Sequence, residues 1–223
     1  MSCPICESTN IKKLTKHKLL GYYIEKCINC NYVFVDTTDF SHEKIYKDQI
    51  SKVTAFGHDL KRNKEYINVL KKLKKENHIK NVIEIGTPMD VKFLKEIRTI
   101  FGDELNLYSH DIIENKLPDY ITFYKDLKDI EPNKIDLLFC IHTLEHIPTN
   151  ELLSFIEKCK SISKFFIFEV PRCNNLKDIE RSSTNPHYSF FSKDSITQLF
   201  GNDIYIDILK QRAGIRFSNI KIK

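Results

Sequence analysis

The chain has 223 residues, 41% hydrophobic and 29% charged, with a net charge of +5. That balance supplies enough apolar material for a core and excludes a mostly disordered polymer. No apolar run approaches the ~18 residues that span a bilayer, and the start lacks the apolar stretch of a secretory signal, so a cytosolic chain with no membrane partner is expected.

From the N-terminus, four of the seven cysteines fall in Cys3-Pro4-Ile5-Cys6 and Cys27-Ile28-Asn29-Cys30, with twenty residues between the pairs. Each C-x-x-C turn aims two thiolates at one point, and two turns complete a closed tetrahedral set for a structural zinc ion. Ile11–Glu25 reads as a hairpin and Tyr32–Val35 as a further short strand, the pattern of a zinc ribbon over residues 1–40. Residues 41–57 have no clear period and read as a linker. The domain expected over 58–223 begins with a helix through Ile67, Leu70 and Leu73, whose opposite face is rich in lysine.

Strands and helices then alternate. Asn81–Gly86 predicts a buried strand, and Val91, Leu94, Ile97 and Phe101 a helical stripe closed by Gly102. Further strands are expected at Leu105–Ser109, Tyr120–Tyr124, Ile135–Cys140 and Lys164–Val170, with a helix through Leu152, Phe155, Ile156 and Cys159 before the last of these. Cys140 and Cys159 read as core residues. Residues 171–188 read as an irregular active-site loop. Ser192 reads as a helix cap, Gly201 as that helix's end, and Ile204–Leu209 with Ile215–Ile222 as a closing antiparallel pair. The expected fold is α/β: a Rossmann-like seven-stranded sheet with an antiparallel C-terminal strand, preceded by the ribbon.

In such sheets ligands bind beyond the carboxyl ends of the strands. Glu84 and Gly86 end the first strand, Asp111 follows the second, and Asp126 follows the third. A carboxylate at the second of these positions accepts both hydroxyls of a ribose, and one at the third accepts from an exocyclic amino group, so in order the acids describe a nucleoside pocket.

Here the chain resembles a class I S-adenosylmethionine-dependent methyltransferase over roughly residues 58–223. Asp136 to Ile147, with Leu144-Glu145-His146-Ile147 at its end, is similar to the D-x7-L-E-H-[IV] stretch of that family. Glu169-Val170-Pro171 and His187-Tyr188-Ser189-Phe190-Phe191-Ser192 resemble the subgroup that carries an N-terminal zinc-binding segment and methylates nucleotide-linked sugars or other small metabolites.

The resemblance implies S-adenosylmethionine as cofactor. Glu84, Gly86 and Thr87 would lie near its methionine part, Asp111 at the ribose, Asp126 and Leu127 at the adenine, and Ile141 and His142 would line the pocket. Structural zinc would sit on Cys3, Cys6, Cys27 and Cys30. His187 is the candidate general base, since an imidazole pKa of ~6.5 suits proton removal, and Glu169 would orient it. Glu145 and His146 read as structural residues in the first turn of the following helix. Arg172 and Arg181 are candidates for holding a phosphate.

Two departures matter. The family's glycine-rich turn here reads Gly86-Thr87-Pro88-Met89, without the later glycines that let backbone approach a cofactor. Asn185-Pro186-His187 stands where carbon-methylating members often carry H-E-H, which favours oxygen methylation. The expected partner is a small-molecule acceptor, nucleotide-linked or phosphorylated. Two alternatives stay open: an RNA methyltransferase docking through the ribbon, and a non-catalytic binding protein that keeps the fold. Nucleic acid is the less favoured partner, because the lysines are scattered and no arginine–aromatic stripe stands out.

Overall fold

A computed structural model describes residues 2–37, 60–88, 90–114, 117–210 and 214–222. The expected linker at 41–57 and Met89 of the altered turn lie outside the described residues. Contacts divide the chain into two compact units. One holds the described parts of Met1–Val53, His142–Glu157 and Phe168–Asn219; the other holds those of Thr54–Ile141, Lys158–Ile167 and Ile220–Lys223.

Among the described residues the first unit is organised by a four-stranded sheet in the order β1 (Ile11–Lys16), β2 (Tyr23–Cys27), β3 (Val33–Val35), β9 (Ser189–Phe190), with every neighbouring pair antiparallel. The two-residue strand β9 pairs Phe190 with Val33 and Ser189 with Phe34. Ile24, Val33, Val35, Cys173, Ile179 and Phe190 form its buried cluster.

The second unit carries the alternating part of the chain. Helix α1 (Leu60–Asn77) buries Tyr66, Ile67, Val69, Leu70 and Leu73, the one-sided stripe of a helix packed against a core. Strand β4 (Asn81–Ile85) is buried from Val82 to Ile85 because a central parallel strand is covered on both faces. Helix α2 (Lys92–Phe101) ends at Gly102, whose φ of 56° suits glycine. Strands β5 (Asn106–His110), β6 (Ile121–Tyr124) and β7 (Ile135–Ile141) follow, and β4 runs parallel to β5 and β7 and β5 to β6. Asp136, the first residue of the family-like stretch, accepts from the amides of Lys80 and Asn81 at 2.8 and 2.7 Å, tying the start of β4.

The remaining elements are α3 (Leu152–Ile162), β8 (Ser163–Pro171), α4 (Leu176–Ser182), α5 (Lys193–Phe200), β10 (Tyr205–Leu209) and β11 (Gly214–Ser218). Among the described residues the larger sheet has seven strands in the order β10-β11-β8-β7-β4-β5-β6, with β10 and β11 antiparallel. This is the expected α/β architecture.

Three local expectations are corrected. Residues 171–188 are not wholly irregular, because Asn175 caps α4 by accepting from the Asp178 amide. Glu145 and His146 do not open the next helix. They lie in a separate 3-10 turn, Leu144–His146, and Ile147 before Pro148 is extended, as a residue preceding proline prefers. The last strand ends at Ser218 rather than continuing to Ile222.

Candidate functional site

The parallel strands of the second unit end in a set of buried polar groups. Glu84 on β4 is 6% exposed and Asp111, just past β5, is 7% exposed. Burial raises Glu84 to a pKa of about 8; Arg62 opposes that rise, while Asp90 and Asp111 add to it. Asp111 is raised to about 6, again by burial, against the pull of the Ile113 and Ile112 amides. Asp111 Oδ1 accepts from the Ile113 amide at 2.9 Å, while Glu84 Oε2 is buried with no hydrogen-bond partner among the described residues. His110, between them in sequence, is lowered to about 4 by burial and is therefore neutral at pH 7.

The turn after β4 is tied down. Gly86 has φ 71°, and the Gly86 and Thr87 amides both donate to the His110 carbonyl, at 2.8 and 3.1 Å. The Thr87 hydroxyl donates to the Glu84 carbonyl at 2.8 Å. These two amides are thus committed to the neighbouring strand rather than held as a cradle for a ligand. Asp126 is exposed and caps the turn Leu127–Asp129 by accepting from Lys128, and Leu127 is buried. Ile141 is partly buried against the core of this unit.

The first unit gathers imidazoles and carboxylates. His142, the residue after β7, adopts φ 55°, an uncommon conformation for a residue with a Cβ, and its amide donates to the Glu169 carbonyl at 2.8 Å. Its ring lies between two carboxylates, with Nδ1 3.3 Å from Glu145 Oε1 and Nε2 3.3 Å from Glu169 Oε1. Glu145 and Glu169 are fully buried, whereas the His142 side chain is 34% exposed. Burial works against a charged imidazole, but the two carboxylates outweigh it and raise His142 to about 9. Burial likewise works against a charged Glu145, and His142 outweighs it, lowering Glu145 to about 2.

His187 stands apart from the exposed role expected of a general base. It is 7% exposed, Nδ1 pairs with Ser182 Oγ at 2.6 Å, and burial lowers its pKa to about 3. Its carbonyl accepts from His17 Nε2 at 3.0 Å, and His17 Nδ1 accepts from the Leu19 and Leu20 amides, which fixes that buried ring as a neutral tautomer. The His146 and His187 rings meet edge to face at 4.6 Å, and His146 Nδ1 donates to the Pro186 carbonyl at 3.0 Å. Arg181 is engaged with Asp178 at 3.1 Å. A groove of about 500 Å³ in the same unit is lined by Lys12, Lys13, Lys26, Asn174 and Asn175 among others.

Nearby in the ribbon, the four cysteine sulfurs lie within 4.8 Å of one another, with Cys3–Cys30 and Cys6–Cys27 both at 3.5 Å. The two knuckles share one geometry. Cys3 donates to the Ser8 carbonyl and Cys27 to the Tyr32 carbonyl, both at 2.9 Å, and Glu7 and Asn31 after each knuckle have φ of 57° and 59°. Sulfurs at ~2.3 Å from a tetrahedral zinc are ~3.8 Å apart, so the cluster fits that ion.

The structure thus brings Glu84 close to Asp111, and Glu169 to His142, while Asp126 and Leu127 serve as cap and core. Sequence reasoning set Glu145 and His146 aside and did not select Ser182 or His17. The His142–Glu145 spacing of three was a readable local signal, and Glu169 was marked by its Glu169-Val170-Pro171 motif, though as a partner of His187 rather than of His142; the contributions of Ser182 and His17 are non-local, with no local signal to mark them.

No protein-family model matches this chain, and no curated protein matches it. Among solved structures it is similar to a SAM-dependent methyltransferase from Aquifex aeolicus, with 16% identity over 80% of this chain and 97% of that one and a TM-score of 0.50. It is also similar to Burkholderia thailandensis 1,6-didemethyltoxoflavin-N1-methyltransferase, solved with bound 1,6-didemethyltoxoflavin and S-adenosylhomocysteine. That match has 10% identity, covers 86% and 96% of the two chains, and has a TM-score of 0.56. The plantazolicin methyltransferase BpumL, in complex with a triazolic desmethylPZN analog and SAH, matches at 10% identity over 79% and 88%, with a TM-score of 0.54. At these identities the likeness establishes a shared fold, the Rossmann-like sheet of these methyltransferases.

Proposed function

We propose that this chain methylates an oxygen atom of a small-molecule acceptor using S-adenosylmethionine, and that its four ribbon cysteines hold a structural zinc ion. The observation that carries this reading is the pair of buried carboxylates, Glu84 and Asp111, at the carboxyl ends of adjacent parallel strands in the seven-strand order. Glu84 Oε2 accepts no hydrogen bond among the described residues, and the Arg62 charge only partly offsets the cost of its burial, so this oxygen is suited to a cationic ligand group. The structural neighbours, two of them solved with S-adenosylhomocysteine, support the same cofactor.

In this reading Asp111 accepts from the ribose hydroxyls with the oxygen that Ile113 does not use, Glu84 meets the ammonium group, and Asp126 and Ile141 flank the base. When bound, the cofactor supplies an electrophilic methyl group on a sulfonium with a good leaving group. What remains is to orient the acceptor and remove its proton. The part-exposed His142, held as a cation between Glu145 and Glu169, is more open to an acceptor than the buried His187; in this reading it orients the acceptor oxygen and the proton passes to solvent.

One observation favours a second reading. With the Gly86 and Thr87 amides bonded to the His110 carbonyl, the chain lacks two donors for the carboxylate end of the cofactor, as a non-catalytic binding protein would. The deciding experiment incubates the zinc-loaded protein with methyl-labelled S-adenosylmethionine and three acceptor sets: nucleotide-linked sugars, other phosphorylated small molecules, and RNA. Transfer to a small-molecule hydroxyl, lost in Asp111→Ala, is the expected result. Transfer to RNA alone, or to nothing while the cofactor still binds, would replace this reading with one of the other two.

A further inference from the structure

The proposed function uses Glu145 Oε1 to hold His142 but leaves Glu145 Oε2, His146 and His187 without a use. One donor atom from each of these residues lies within 4.8 Å of the other two. The three residues converge from two parts of the chain, the 3-10 turn Leu144–His146 and the segment leading into β9. The backbone locks these parts together: the Tyr188 amide donates to the Glu145 carbonyl at 2.8 Å. Glu145 is 1% exposed, and although Oε1 faces His142, Oε2 is buried with no hydrogen-bond partner among the described residues. A carboxylate oxygen left in this state among imidazoles is poorly stabilised unless something cationic meets it.

The rings are prepared for such a ligand. His146 Nδ1 faces a carbonyl, Pro186 O, and must donate to it, which puts the lone pair of the neutral ring on Nε2. His187 Nδ1 pairs with Ser182 Oγ, and in the tautomer where Nδ1 donates to that hydroxyl the Nε2 lone pair is left to bind outward. Imidazoles whose second nitrogen is anchored by a carbonyl or hydroxyl are the usual form of metal-ligating histidine, because the anchor fixes tautomer and ring orientation. Two imidazoles and one carboxylate form an N2O donor set that suits divalent first-row transition ions and is chemically distinct from the ribbon's four thiolates. Donors on one such ion, at ~2.1 Å, are ~3.4 Å apart in tetrahedral geometry, so closure needs side-chain shifts of about an ångström.

We propose that Glu145, His146 and His187 bind a divalent transition-metal ion such as zinc, cobalt or iron(II), separate from the ribbon zinc. Three protein ligands leave a coordination position for water or a hydroxyl ligand. The site does not rest on the methyl-transfer reading and stands or falls independently of it.

The test is a titration with cobalt(II) of protein loaded with one equivalent of zinc per chain, enough for the four thiolates alone, followed by visible absorption. The expected result is saturable binding of one cobalt ion per chain, with a nitrogen–oxygen ligand field and no thiolate charge-transfer band. His187→Gln and Glu145→Gln should abolish it. Ser182→Ala keeps all three ligands but frees the His187 ring, and it should weaken cobalt binding ~10–100-fold. Broadening of the His146 and His187 ring resonances in the wild-type spectrum locates the ion even if a variant fails to fold. The proposal is overturned by an absence of saturable binding, by cobalt that appears only with the thiolate band, by binding unchanged in both ligand variants, or by broadening elsewhere.

Discussion

At the residue scale, Glu84 offers a direct test of the polar cluster at the strand ends. Its pKa in the folded chain is about 8, well above the carboxylate value expected when unfolded, because burial disfavours its charge. The folded state therefore holds a proton that the unfolded state has released between roughly pH 4.5 and 8. The associated stability is complete below the unfolded pKa and is lost as pH rises through about 8. Glu84→Gln removes the ionisation, so relative to wild type it should gain stability as pH rises from 5 to 9. At about 2–4 °C per kcal/mol for a chain of this size, the difference in melting temperature should grow by several degrees over that range. A difference that stays constant with pH would place Glu84 in a solvated setting and contradict its burial. His110 carries the opposite sign: a buried neutral imidazole with pKa about 4 costs stability as pH falls below ~6.5, and His110→Gln should relieve that loss.

At the element scale, helix α5 was readable because its signals are local. Ser192 accepts from the Ser195 amide, Ser195 returns the bond to the Ser192 amide, and Gly201 ends the helix with φ 82°. Ser192→Ala should lower stability by about 1 kcal/mol, read as a shift in denaturant midpoint with unchanged slope. Helix α4 escaped because seven residues contain only two apolar positions, Leu176 and Ile179, too few for a period to emerge. Strand β9 escaped because two residues carry no pattern at all; it exists through pairing with β3. That pairing is reinforced by the buried Tyr32 hydroxyl on Ser189 Oγ. Tyr32→Phe leaves Ser189 without this partner and should destabilise the protein by roughly 1–3 kcal/mol, measured by thermal or urea unfolding.

The four-cysteine cluster was legible for the reason α5 was, since spacing alone brings each pair together. The histidine–carboxylate cluster was only half legible. His142 and Glu145 are three apart, but their setting depends on Glu169 and His187, which reach them only through the fold. Cys3→Ser or Cys30→Ser should release zinc and unfold the ribbon sheet, because on the order of 10 kcal/mol of folding free energy in such small sites comes from the ion. Zinc content by mass spectrometry and loss of the β signal in circular dichroism check this, and a fully folded, zinc-free Cys3→Ser variant would refute the assignment.

At the scale of the whole molecule, strand order explains why the strand ends were the right place to search. The sheet begins at β4 in its interior, extends through β5 to β6, and then continues on the other side of β4 with β7. Ligands of open parallel sheets bind at the carboxyl ends beside this reversal. Glu84 sits on the strand where the direction changes, and Asp111 follows the next one. The order of elements was legible because strands buried on both faces are continuous apolar runs separated by polar turns. The fate of the glycine-poor turn was not legible. Only the structure shows the Gly86 and Thr87 amides turned onto the His110 carbonyl, and this makes cofactor affinity the quantity on which the functional account depends.

Calorimetric titration of the zinc-loaded chain with S-adenosylhomocysteine is therefore the most direct measurement. Saturable one-to-one binding is expected, weakened ~10–100-fold by Asp111→Ala through loss of hydrogen bonds to a charged acceptor. Absence of binding, or binding that Asp111→Ala leaves unchanged, would contradict a nucleoside site at the ends of β4 and β5.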